Sequence, residues 1–322
     1  VKTTLRALLL IILAAGIAGL CVAEDSASFE PGGELETERQ DDIEDRVPSD
    51  DADKPKRDWF IKLENTINYD SNPAVAPSDE EDDWADIFKL TMGKTFKKSG
   101  PHEVGGQYSL YGEFYSDQNE RNILGHTLDL YYGRIKTPTS FRLDYMYSRY
   151  ELDNDVYLRK HTIAPLLFYA PGGKNIEMLR FAYSLNEYPT METLDGSDWS
   201  IQLRHFQFLD EAKKKRVNFS YKYSTTDTDD DDQSYDAHQI GVGLRAPMGG
   251  SGIIAEISVD YTHKEYDGGR DDDGWAYGIN FTKPVSENWS VSLGYTGNDN
   301  DSNDPVADYS RNVVSFTVSA SF

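Results

Sequence analysis

The sequence predicts an all-β chain: an antiparallel, up-and-down β-barrel of about fourteen strands that crosses a membrane. Three observations predict it. From Asp58 to the last residue, apolar and polar residues alternate with the period of two that sends strand side chains to opposite faces. No comparable stretch repeats with the helical period. The tryptophans Trp59, Trp84, Trp199, Trp275 and Trp289 all stand at the starts of such runs, on the apolar face, where an aromatic belt at a membrane interface would lie.

The chain opens as a secretory signal over residues 1–23. Lys2 and Arg6 precede an apolar run from Ala7 to about Leu20, and Ala23 offers a small residue for cleavage before Glu24. The run is short for a membrane helix, which needs roughly 20 residues. A lipoprotein signal would want a small residue before Cys21, and Leu20 stands there. Cleavage after Ala23 would remove the one cysteine, leaving no disulfide, thiol nucleophile or cysteine metal site. Losing Lys2 and Arg6 takes the formal net charge from −24 to −26. Residues 24–57 hold 13 Asp or Glu against 5 Lys or Arg, with Phe29 the lone aromatic. Such a segment cannot bury enough apolar surface to offset the entropy of ordering. It reads as a disordered acidic tail in the periplasm, where a partner could bind it.

The barrel domain is expected over 58–322. "WFIKLENTINY" sets Trp59, Ile61, Leu63, Ile67 and Tyr69 against Lys62, Glu64, Thr66 and Asn68. "QYSLYGEFY", "LGHTLDLYYG", "FRLDYMYS", "WSIQLRH", "VNFSYKY", "IGVGLR", "IAEISVDY", "WAYGINF" and "WSVSLGY" repeat the rule. Each run is about the 10 residues of a tilted membrane strand. A soluble sandwich would put the apolar face in its core, yet the polar face here carries charge in mid-strand. A closed barrel with a wet interior accommodates that, and closure leaves no unpaired backbone edge in lipid. It also reconciles a mean hydropathy of −0.62 with a membrane protein, because half of each strand faces water. The inward candidates are Lys62, Lys89, Arg142, Arg180, Arg204, Lys222 and Arg245, with Glu64, Glu113, Asp129, Asp144, Glu256 and Asp260. Toward the C-terminus the same face carries small residues, among them Gly241, Gly243, Ser258, Gly278, Ser292, Gly294 and Ser315, which leave space.

Connections alternate between two kinds. One kind is compact, rich in Pro and Gly and often basic, as in "KTPTS", "APGGKN", "LDEAKKK" and "APMGGSG". The other is mostly longer and acidic, as in "DSNPAVAPSDEEDD", "STTDTDDDDQS" and "GNDNDSNDPVAD". Barrels of this kind have short periplasmic turns and longer outer loops. The acidic loops are therefore expected outside, with both barrel termini in the periplasm.

The final strand, "NVVSFTVSASF", alternates Val314, Phe316, Val318, Ala320 and Phe322 with Ser or Thr and stops on an aromatic. In this it resembles the C-terminal strand of bacterial outer-membrane β-barrels of the porin-like class. The resemblance covers roughly Asp58 to Phe322. It implies that Phe316 and Phe322 are read by the barrel-assembly machinery, and that the barrel meets outer-membrane lipid and lipopolysaccharide. A second, more local resemblance rests on "INYDSNP". Tyr69, Asp70, Ser71 and Asn72 are similar to the barrel start of the surface lipoprotein assembly modifier family. That family carries helical repeats ahead of its barrel, and this chain has the acidic tail instead. Asp and Asn side chains also bond nearby backbone at many loop starts.

Enzymatic signals are weak. "GVGLRA" meets a loose dinucleotide fingerprint, but inside a strand and without a following helix. His102, His126, His161, His205, His238 and His263 are scattered, and no zinc-protease or nucleophile-elbow motif occurs. No cofactor is expected. The strongest metal candidates are loop carboxylates at alternate positions, Asp227, Asp229 and Asp231, and Asp299 and Asp301 with Asn303, whose hard oxygen ligands suit Ca²⁺. Solvated charge is the blander reading of both. The acidic balance, with a pI near 4.5, argues against nucleic acid as a partner. The sequence thus points to a passive channel or transporter for small solutes with a cation-attracting outer mouth. A barrel that translocates or assembles exported proteins or polymers is the alternative, and a structural or adhesive barrel with a plugged lumen is a further one.

Overall fold

A computed structural model describes residues 58–76 and 81–322. The expected signal segment and acidic tail lie outside the described residues. The strands are β1 (Trp59–Asp70), β2 (Asp83–Ser99), β3 (His102–Tyr115), β4 (Ile123–Arg134), β5 (Thr139–Leu152), β6 (Asp155–Tyr169), β7 (Asn175–Glu187), β8 (Gly196–Phe208), β9 (Arg216–Thr228), β10 (Tyr235–Pro247), β11 (Ile254–Tyr266), β12 (Asp271–Pro284), β13 (Trp289–Ser302) and β14 (Tyr309–Ser321). Each pairs antiparallel with its sequence neighbours, and β14 pairs with β1 to close the barrel. No helix among the described residues is long and apolar enough to cross a membrane, which says nothing of a β-barrel.

The alternation is real, and the apolar face is the outer one. Ile67, Leu128, Leu203, Ile240, Leu293 and Phe316 are each 45–57% exposed on the outside of the wall. In a water-soluble sandwich these residues would be its core. The tryptophans resolve into two belts. Trp59 and Trp289 stand at the rim where β1 starts and β14 ends, and Trp84, Trp199 and Trp275 stand toward the other rim. Tyrosines fill in beside them: Tyr69 packs on Trp84, Tyr223 on Trp199 and Tyr261 on Trp275, with ring centroids 4.9–5.3 Å apart.

Two expectations need correction. The strands are longer than about 10 residues, running from 12 in β1 and β4 to 17 in β2. The surplus lies largely beyond the acidic-side belt: β12 begins four residues before Trp275, and β13 continues through Asn298, Asp299, Asn300 and Asp301. Backbone pairing does not stop where apolar side chains stop, since water tolerates a polar ladder as well as a loop. For the same reason the two rims differ less in loop length than the sequence suggests. The acidic rim is formed by residues 71–76, 81–82, 116–122, 153–154, 188–195, 229–234, 267–270 and 303–308. The compact rim is formed by 100–101, 135–138, 170–174, 209–215, 248–253 and 285–288. Asp153 and Asn154, both at positive φ (47° and 69°), make a two-residue turn on the acidic rim as tight as any on the other. The rims are distinguished by charge more than by reach.

Candidate functional site: the barrel lumen

The pairing register puts the expected lumen residues on one face of the wall. Lys62 and Glu64 stand opposite Thr91 and Lys89, and Lys89 opposite Tyr111. Farther round, one row joins Arg142, Leu166, Arg180, Gln202 and Lys222, and another joins Arg204, Ser220, Gly241 and Asp260. Arg245 is registered with Glu256.

Much of this charge is compensated within the wall. Arg142 donates from Nε to Asp144 at 2.6 Å and from an Nη to Asp129 at 3.3 Å, while its guanidinium lies 3.8 Å from the Tyr131 ring centroid. Asp129 and Asp144 are buried, so one arginine holds two carboxylates that would otherwise repel. Arg245 reaches Glu256 at 2.6 Å, with Arg216 at 3.9 Å from the same oxygen. Glu113 accepts from the Tyr111 and Tyr115 hydroxyls at 2.5 and 2.7 Å. Lys160, which the sequence reading passed over, pairs with Asp198 at 2.8 Å. Its inward position was legible from the alternation of β6.

Hydroxyl pairs line the wall between these charges. Thr66 meets Thr317 at 2.8 Å, Thr127 meets Ser148 at 2.9 Å and Thr282 meets Ser292 at 2.9 Å. The expected space on the later strands is partly used. A methyl group at Gly241 would overlap the Asp260 carboxylate and the Ser220 hydroxyl, and one at Gly243 would overlap the Asn218 amide. These glycines let neighbouring polar side chains lie flat along the wall instead of projecting into the lumen.

The lumen also holds an apolar cluster that the sequence reading missed. Leu166 and Phe168 of β6, Ile176 and Met178 of β7, and Phe206 and Phe208 of β8 are all buried and pack together on the inner face near the compact rim. Arg216 lies 5.7 Å from the Phe206 ring centroid and Lys213 5.9 Å from that of Phe208. The signal was present. "LLFY" puts large apolar residues on both faces, and "HFQF" alternates in the phase opposite to Trp199, Ile201 and Leu203 of the same strand, which carries Phe206 and Phe208 inside.

At the acidic rim, "DSN" has a structural task. Arg311 of β14 donates from Nε to both Asp70 oxygens at 2.9 and 3.0 Å and from an Nη to Oδ2, and both residues are buried. Ser71 and Asn312 exchange hydrogen bonds, and the Asn72 amide donates to Ser310 O at 3.1 Å and to Ala76 O at 2.9 Å. The stretch fastens the first strand to the last. Beside it, burial pushes the guanidinium of Arg121, in the turn before β4, down from its ordinary value, with Glu120 acting in the opposite direction.

The compact-rim end of the same seam is closed by the terminal residue. Phe322 N–H donates to Ile61 O at 2.9 Å, Ile61 N–H donates to Phe322 O at 3.1 Å, and the Phe322 ring stands edge-on to Trp289. Phe316 is on the outer wall of β14, opposite Ile67 and Leu293.

The metal candidates do not assemble. Asp227 ends the outward side of β9, Asp229 and Asp231 are in the loop after it, and Asp299 and Asp301 are outward on β13. Their alternation is that of a strand continuing past the belt. Asn303 spends its side chain on Asp271 N and Gly269 O. Among the described residues, no three His, Cys, Asp or Glu side chains gather as a metal site. The histidines all lie on the outer face, bonded to tyrosines or carboxylates: His126 to Tyr108, His161 to Tyr145, His238 to Tyr221, His102 to Tyr132, His205 to Glu177 and His263 to Asp273.

No protein-family model matches the chain, and no curated protein sequence matches it. Solved structures do. A loop-deletion form of OmpT, an outer membrane protein of Vibrio cholerae, is 9% identical with a TM-score of 0.53, over 82% of this chain and 98% of that one. An anion-selective porin from Comamonas acidovorans is 11% identical with a TM-score of 0.52, over 82% and 98%. The outer membrane channel DcaP of Acinetobacter baumannii is 10% identical with a TM-score of 0.52, over 82% and 96%. At such identities the likeness speaks to architecture, and with the closed fourteen-strand meander it shows that this chain has the fold of a porin-like outer-membrane β-barrel.

Proposed function

We propose that the protein is a passive outer-membrane channel for small solutes, narrowed on one side near the compact rim and cation-attracting at the acidic rim. The observation that carries this reading is the polar inner wall, with its carboxylates and cations paired side by side within it. A lumen filled dry by its own side chains would need each buried charge satisfied across the core, at considerable cost. Pairing along the wall satisfies the charges while leaving the axis to water. Because Arg142, Lys160 and Arg245 each sit against carboxylates, the wall itself exerts a weak net field. The acidic rim, with Asp229, Asp230, Asp231 and Asp232 in one loop, sets the ion preference.

In this reading the acidic rim faces outward and the N-terminal tail and Phe322 face the periplasm. Phe322 serves as the assembly signal, and the belts meet lipid and lipopolysaccharide. The apolar cluster on β6–β8 favours a second reading, a lumen closed until a partner moves that wall. Single-channel recording on refolded protein separates the two. Steady conductance steps from the pure barrel support the channel, and silence at every salt concentration supports closure.

A further inference from the structure

Asp86 is out of place on the lipid-facing wall. It lies on β2 between Trp84 and Phe88, two residues to the membrane side of its belt tryptophan. Asp273 and Asp299, by contrast, stand on the rim side of Trp275 and Tyr295. The neighbour that Asp86 has is neutral: Asn65, in the middle of the outer face of β1, donates to Oδ1 at 2.6 Å. An ionised carboxylate at the edge of hydrocarbon is costly, and such residues pair with a cation or face protein.

The same wall carries a cation at the same depth. Arg149 is outward on β5, and its register row runs through His126 and Leu110 to Leu90 of β2. Rows climb toward the acidic rim in this direction by about 3 Å per strand at the usual tilt, or about 9 Å from β2 to β5. Asp86 stands four residues rimward of Leu90, a rise of about 10 Å along the same axis. Arg149 holds Glu151 at 2.6 Å with one amino group, and its side chain stays 43% exposed on the outer wall.

We propose that the outer wall of β2–β5 is the contact face for a second copy of this chain, related by a two-fold axis along the membrane normal. A two-fold contact centred between β3 and β4 sets each residue against the one equally displaced to the other side. Asp86 of each copy then meets Arg149 of the other, once on each side of the axis. Next to the axis the face is flat and aromatic. Gly106 and Gly112 are outward on β3, and the rings of Phe96 and Phe88 lie over them. Away from water and lipid, the carboxylate gains a charged donor. The pairing goes beyond the channel reading and stands whether or not the lumen conducts.

Leu128, outward on β4 beside the proposed axis, reports the contact. In native membranes, Leu128→Cys should be joined to its own copy by a short thiol crosslinker, and Val259→Cys on the distant β11 should not. In purified full-length barrel, Asp86→Arg and Arg149→Glu should each weaken the dimer at least about tenfold by light scattering. Both changes in one chain should restore it. Heat-modifiable migration certifies folding, and if Asp86→Arg does not fold, Asp86→Asn should give a several-fold weakening. Absence of the Leu128→Cys crosslink, or a dimer indifferent to both single changes, overturns the proposal.

Discussion

Removing Arg311 tests what holds the barrel shut. Its guanidinium is bound to Asp70 through Nε and an Nη, the side chains are 9% and 2% exposed, and the pair joins the last strand to the first. Arg311→Leu leaves a buried carboxylate with a single remaining donor, the Asn72 backbone N–H at 3.0 Å. Stranding one partner of a buried pair costs about 3–5 kcal/mol, whereas an exposed pair costs about 1 kcal/mol or less. Asp70→Leu takes this carboxylate from the buried arginine instead and also removes the Asn72 contact, the latter adding about 1 kcal/mol. The double variant removes both charges and should recover more than half of the single loss. Reversible urea unfolding in lipid vesicles, followed by tryptophan fluorescence, measures all three. Losses within about 1 kcal/mol for both singles would refute the reasoning, because the pair would then behave as a solvated surface contact.

Deleting Phe322 should lower the fraction folded in the outer membrane, since it removes two backbone hydrogen bonds to Ile61 and the ring against Trp289; unchanged heat-modifiable migration and protease resistance would count against this. A tag inserted between Asp229 and Asp232 should be bound by antibody on intact cells, and one in residues 248–252 only after permeabilisation; labelling of the second on intact cells reverses the orientation. Arg142→Leu removes the cation between Asp129 and Asp144 on the lumen wall and should shift selectivity further toward cations in a bilayer recording, with an unchanged reversal potential as the contrary result. Gly241→Val should reduce single-channel conductance by pushing the Asp260 side chain off the wall and into the lumen; full conductance would show that the wall has slack there.

The barrel was legible because its rule is local. Side chains on a strand alternate whatever the neighbouring strand does, so Arg142, Asp144, Arg204 and Glu256 could be placed inside without knowing the register. Closure by β1 and β14 followed from the need to leave no free edge. What pairs with what was not legible. That Arg142 serves both Asp129 and Asp144, or that Arg311 reaches Asp70 across nearly the whole chain, depends on stagger, which alternation does not encode. The metal candidates failed as an assembled site for a related reason. Alternate carboxylates in a loop resemble a ligand set, and the same letters in a strand that outlasts the belt are merely one face of it. The apolar cluster on β6–β8 was missed because strands apolar on both faces still look like membrane strands.

The most direct test of the proposed channel is its reversal potential under a salt gradient, measured across a planar bilayer at low and at high ionic strength. If the acidic rim sets the preference over a weak-field lumen, cation selectivity should be clear when the Debye length is about 30 Å, at 0.01 M salt. It should fade as that length drops to about 3 Å at 1 M. Replacing Asp229 to Asp232 with Asn should reduce selectivity at low salt and leave conductance at high salt nearly unchanged. Folded barrel that carries no current at any salt, or selectivity that ignores ionic strength, would contradict the account.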